Sequence, residues 1–169
     1  HKEYRRQRQM CIRDRYCCGG LNFGYFYDAS PLIAYDGEAA PAYTMYDFKP
    51  STVPGCRVPH LWLADGRSLY DAMAALGEGY VLLRRDPALD VAPLVAAAAA
   101  RGLPLRVLDI DGPEAAALYD RALVISRPDQ HVAWRGDAVP ADPEALVDLL
   151  RGATPAAASE SNEERETSA

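Results

Sequence analysis

The chain has 169 residues, a formal net charge of −6, 49% hydrophobic and 25% charged residues, and four cysteines. That is one globular domain with room for tails, able to bury roughly two thirds of its unfolded surface without staples. No stretch nears the ~20 uninterrupted apolar residues of a membrane span. The acidic balance argues against nucleic-acid binding, and four cysteines in unrelated contexts make no disulfide framework, which leaves the cytoplasm as the default compartment.

The average hides three charge regimes: +4 over residues 1–15, −7 over 16–153 and −3 over 154–169. The first stretch has no apolar run after its charges, so a secretory signal is a poor reading. Arg5 to Arg15, RRQRQMCIRDR, resembles the translation of a sequencing-library adapter that ends in a transposon mosaic end. Residues 1–15 are therefore expected to be an artefact, disordered and outside the fold; a basic nucleic-acid arm is the alternative. On this reading the natural protein is cut near Tyr16 and the chain is a fragment.

Residues 16–57 hold six of the ten tyrosines together with Gly19, Gly20, Gly24, Pro31, Pro41, Pro50, Pro54 and Gly55. Prolines and glycines at that density break helices, while alternation in residues 21–27 and 32–35 predicts short extended pieces. The segment is expected to wrap on another surface, because so many large apolar groups on loop-like backbone need one.

From His60 the punctuation is regular. His60 to Leu63 reads as a strand, Asp65-Gly66 as a turn, and Ser68 as the cap of a short helix through Ala75. Tyr80 to Arg84 is a buried strand. A helix capped at Asp90 or Val91, with Pro93 in its first turn, runs through the alanines to Arg101-Gly102. Leu105 to Ile110 is a strand, and Pro113-Glu114 opens a short helix through Tyr119. Arg121–Ser126 and His131–Arg135 read as an antiparallel hairpin. A last helix begins at Asp142-Pro143-Glu144 and buries Leu146, Val147, Leu149 and Leu150 before Gly152. The order β-α-β-α-β-α-β-β-α is the plan of a thioredoxin-like α/β fold, a mixed sheet covered by helices. Its domain is set at 58–153. Residues 154–169 have no aliphatic side chain larger than alanine and no aromatic, which predicts a disordered acidic tail. Trp62 and Trp134, on neighbouring candidate strands, are both expected to be buried.

The chemistry is sparse. A redox thioredoxin needs two cysteines two residues apart at a helix N-terminus; here the position after Arg84 reads Arg85-Asp86-Pro87-Ala88. Cys17-Cys18 are adjacent and outside the fold, and Cys56 is expected to be a small packed residue. His60 and His131 lack metal-ligand spacing. Asp129-Gln130-His131 with Arg135 is the most polar constellation and reads as a satisfied hairpin turn, with Asp129 bonding local amides. Asp109-Ile110-Asp111 reads as a strand end entering an Asp-Gly turn. Gly77-Glu78-Gly79 precedes a strand, where a dinucleotide loop would follow one. No catalytic, cofactor-binding or metal-binding residue is assigned.

At PSTVPGCRVPH (residues 50–60), Leu61-Trp62-Leu63, GRSLYD (66–71) and RPDQHVAWR (127–135), the sequence resembles the C-terminal region of FAD-dependent aromatic-ring hydroxylases of the phenol hydroxylase and 2,4-dichlorophenol 6-monooxygenase type. GLNFGY (20–25) and SPLI (30–33) resemble the stretch that joins that family's flavin domain to its thioredoxin-like end. The resemblance covers about residues 19–152. It implies a parent monooxygenase in which NAD(P)H reduces FAD and O2 supplies the oxygen placed on a phenolic ring, the cofactor carrying the chemistry. It also implies that the FAD-binding motifs lie upstream in a missing N-terminal domain. This region is then a packing and homo-oligomerisation domain that holds neither cofactor. A stand-alone, redox-inactive interaction module is the alternative.

Overall fold

A computed structural model describes residues 18–110 and 112–153. The expectations for residues 1–17, Asp111 and 154–169 lie outside the described residues. In chain order the elements are α1 (Gly19–Phe23), α2 (Leu69–Ala75), β1 (Tyr80–Arg84), α3 (Ala92–Ala100), β2 (Leu105–Asp109), α4 (Pro113–Leu118), β3 (Leu123–Ser126), β4 (Val132–Gly136) and α5 (Pro143–Leu150). Among the described residues the strands form one mixed sheet in the order β2-β1-β3-β4, with β1 parallel to β2 and antiparallel to β3, and β3 antiparallel to β4.

The period-two alternation of strand side chains sends residues of β1 into two cores. Leu82 joins Leu94, Ala98, Ile125, Val147 and Leu150 beneath α3 and α5. Val81 and Leu83 join Leu69, Met73, Val124 and Tyr119 beneath α2 and α4. A parallel unit, a hairpin and a closing helix are thus the α/β arrangement the sequence predicts. The local signals act as expected. The Ser68 side chain accepts from the Asp71 amide and that of Asp142 from the Ala145 amide, with Pro143 in the first turn, while Asp90 Oδ1 accepts from the Ala92 amide at 2.9 Å.

Three expectations are corrected. The strand predicted at His60–Leu63, the first of the β-α-β-α-β-α-β-β-α order, does not join the sheet. Its backbone is satisfied locally across the Asp65-Gly66 turn: Leu63 N donates to Arg67 O at 2.9 Å and Leu69 N to Leu61 O at 3.1 Å. Leu61 and Leu63 do point into the core, and the same alternation turns Trp62 outward, 61% exposed, where burial was expected; Trp134 is half-buried. The extended piece expected from Leu21 begins instead as α1. Its glycines permit the close approach that holds it: a Cβ on Gly20 would stand 1.7 Å from the Thr44 carbonyl oxygen, and Gly19 N and Leu21 N donate to Tyr46 O and Met45 O.

The segment before the sheet covers the outer edge of β4. Ala34 N donates to Ala133 O, Gly55 N to Val132 O and Val132 N to Cys56 O, each at 2.8 Å. An edge strand that would offer unpaired amides and carbonyls is thereby sealed.

Candidate functional site: an aromatic face and a buried arginine hub

At the end of β1, where a redox thioredoxin carries its thiols, the chain has a polar turn. Asp86 Oδ1 accepts from the Ala88 amide at 2.9 Å, and Arg85 Nη1 donates to Tyr119 O at 2.7 Å. Arg84 is bound in a fork to Asp109, at 2.6 and 3.1 Å, which gives Asp109 a role without metal. Cys56 is buried, and desolvation pushes its thiol up despite a hydrogen bond from Ser51 and the nearby Arg135 charge; that environment does not favour a thiolate nucleophile. Among the described residues no group of three His, Cys, Asp or Glu side chains is placed to hold a metal ion.

The polar constellation of the hairpin divides in two. At the turn, Asp129 accepts from the His131 amide at 3.3 Å, from Tyr27 Oη at 3.1 Å and pairs with Arg127 at 3.1 Å, while Gln130 takes a left-handed φ of 64°. The buried His131 ring lies edge-on to Tyr25 and Tyr27. This is a satisfied turn, as expected, with aromatic side chains from the preceding segment packed on it.

Arg135 does not join that group. Its side chain is 1% exposed and reaches in three directions: Nε to Asp36 at 2.7 Å, Nη1 to Asp120 at 2.9 Å and to Thr52 Oγ1 at 3.3 Å, and Nη2 to Glu38. Thr52 in turn donates to Asp120. Asp36 and Glu38 belong to the segment across β4, so the hub ties that segment to the sheet. Burial works against the Asp36 charge, yet the Arg135 hydrogen bond and the Glu38 amide hold its carboxyl below the usual carboxylate range. Desolvation likewise opposes the Arg135 charge, and its carboxylate partners raise its pKa on balance.

The same segment exposes large apolar side chains among polar ones such as Asn22, Asp47 and Lys49. Leu21, Phe23, Tyr25, Tyr43, Met45 and Tyr46 are all exposed. Between Phe23, Tyr25, Tyr43, Phe48 and Arg57 lies a cleft of about 20 Å³, room for a side-chain tip and far too little for an aromatic cofactor. Large exposed apolar patches of this kind mark interaction surfaces.

A family model described as "Aromatic-ring hydroxylase, C-terminal" matches residues 51–156. The chain belongs to that family. The region is 34% identical over 150 residues to phenol 2-monooxygenase from Pseudomonas sp. (strain EST1001), covering 79% of this chain and 24% of that protein. It is 35% identical over 138 residues to tetracenomycin B2 monooxygenase-dioxygenase from Streptomyces olivaceus, covering 74% and 24%. The rebeccamycin biosynthetic enzyme RebC, solved with reduced flavin, superposes with a TM-score of 0.70 at 38% identity, over 83% of this chain and 25% of RebC. The flavin-dependent monooxygenase PieE, solved with FAD and substrate, superposes with a TM-score of 0.64 at 25% identity, over 85% and 27%. This aromatic-ring hydroxylase region thus spans about a quarter of the length of its relatives. The relatives are flavin-dependent monooxygenases, and the α/β class expected from the sequence, a mixed sheet with helices, is one they share here, while the expected strand order is not.

Sequence reasoning did not find the Arg135 hub. Its partners lie 15 to 99 residues away in the chain, and no local pattern announces them.

Proposed function

We propose that this chain is the C-terminal quarter of an FAD-dependent, NAD(P)H-using monooxygenase that hydroxylates a phenolic ring, and that the region itself is a non-catalytic packing domain. The observation that carries the reading is the agreement between partial coverage and surface: the match takes in a quarter of flavin enzymes, and the segment leading into the sheet exposes apolar side chains. The described residues do not form a dinucleotide site: Gly77-Glu78-Gly79 precedes β1 where a dinucleotide loop follows a strand, the aromatic cleft holds about 20 Å³, and neither of the wider open clefts, about 240 and 260 Å³, is lined by a Gly-x-Gly-x-x-Gly loop. No step of the oxidation is therefore assigned to this chain. FAD, NAD(P)H and the phenol are bound by the upstream part, and the parent is a cytoplasmic homo-oligomer.

The test compares the 169-residue chain with the intact parent. The parent is expected to oxidise NAD(P)H in the presence of O2 and a phenol, and the chain to show no oxidation above the buffer rate. An intact parent with no flavin and no such activity would instead favour a redox-inactive interaction module.

A further inference from the structure

Six side chains from the leading segment and the domain form one continuous stack across their junction. The Phe48 and Phe23 ring centroids lie 5.9 Å apart, and the Arg57 guanidinium sits between Phe23, at 5.5 Å, and Tyr70, at 5.2 Å. Tyr70 meets His60 at 5.2 Å, and His60 meets Trp62 at 5.2 Å. Phe23, His60 and Trp62 are exposed; Phe48, Arg57 and Tyr70 are half-buried.

Among the described residues the charge in the middle of the stack has no carboxylate partner. Arg57 donates through Nη2 to Gln130 Oε1 at 2.7 Å and through Nε to the Tyr70 hydroxyl at 3.3 Å, both neutral acceptors. Seven other arginines among the described residues hold a carboxylate. Arg57 holds none among them. A cation fixed by neutral partners between aromatic faces, with its second terminal nitrogen unused, is preorganised for a carboxylate brought by another surface. Tryptophan, tyrosine and arginine in one patch are also the composition of an interface hot spot.

We propose that this stack is the docking surface for the FAD-bearing part of the same polypeptide, which places a carboxylate on Arg57 Nη1 and apolar side chains on the Phe23 and Trp62 rings. The inference rests on the parent-enzyme reading above. One observation selects this occupant: about three quarters of each relative lies outside the matched region, so a large body of protein adjoins this domain in those enzymes.

Hydroxyl-radical footprinting of the intact parent against the 169-residue chain tests the proposal. Phe23 and Trp62 are expected to be protected at least fivefold in the parent. Arg57→Glu in the parent is expected to abolish that protection, and Arg57→Lys to keep part of it. Arg106→Ala, on an exposed position of the opposite edge strand β2, is the control and should change nothing. Equal labelling in parent and chain would overturn the docking surface. Protection that vanishes on dilution as dimers dissociate would overturn it in favour of a second copy. Protection untouched by Arg57→Glu would overturn the carboxylate. A parent that carries no flavin would refute the enzyme reading instead, whatever the footprint.

Discussion

Replacing Arg135 by alanine removes a buried cation and leaves Asp36, Glu38 and Asp120 facing one another across the vacated space. Breaking a buried pair by removing one partner costs about 3–5 kcal/mol, because the remaining charge is stranded. The Glu38 and Asp120 side chains are 56% and 51% exposed, so water relieves part of that cost and the lower end, about 3 kcal/mol, is expected. For a chain of 169 residues this corresponds to a fall in Tm of roughly 6–12 °C. Urea unfolding at pH 7 measures it, and hydrogen exchange at the Ala34 amide, which donates to Ala133 across the sealed edge, reports the local consequence. The pH dependence gives an independent reading. The Asp36 carboxyl is depressed in the folded state, so its stabilisation is complete above the unfolded pKa, about 4, and is lost as pH falls through the folded value. Arg135→Ala should flatten the acid side of the stability profile, while Arg135→Lys, a point charge without the guanidinium fork, should keep part of the slope. A loss under about 1 kcal/mol, with unchanged exchange at Ala34, would refute the hub as the tie between segment and sheet.

Other perturbations test other parts of the account. Tyr119 is fully buried and its hydroxyl donates to the Pro59 carbonyl at 2.6 Å, so Tyr119→Phe should cost about 1–3 kcal/mol in urea unfolding by stranding that carbonyl. Gly55 has a φ of 98°, and a Cβ there would stand 2.1 Å from the Tyr27 carbonyl oxygen; Gly55→Ala should cost about 1–3 kcal/mol from backbone strain, before the clash is added, and a neutral result would mean the segment crosses elsewhere. Trp62 is 61% exposed, so in the isolated chain acrylamide should quench about half the indole emission readily, and Trp62→Phe should remove that fraction without shifting the unfolding midpoint.

Much of the fold was legible because it is written locally. Tyr80–Arg84 is a short apolar run between glycine and a polar turn, and the hairpin, the Ser68 and Asp142 caps and the Pro143 start are all signals within a few residues. Sequence and structure part where a local signal has two structural solutions. The alternation of Leu61-Trp62-Leu63 was real, but its hydrogen bonds are met by the turn at Asp65-Gly66, leaving no need for a sheet partner. The glycines of α1 argue against a helix by propensity, yet the close approach of Gly20 to the Thr44 carbonyl requires one of them. Arg135 follows Asp129, Gln130 and His131 closely in the chain, which suggests one group. Four strand residues span about 13 Å, and its real partners are carboxylates distant in sequence. The aromatic face was legible as a demand for burial, though not which rings would meet Arg57, since that depends on how two segments cross in space.

The central claim is that this region packs beside a flavin-binding body and holds no flavin itself. Equilibrium dialysis against FAD, applied in parallel to the 169-residue chain and to the intact parent, tests it most directly. The account predicts one FAD retained per intact polypeptide and no measurable retention by the chain; stoichiometric FAD on the chain alone, or none on the parent, would contradict it.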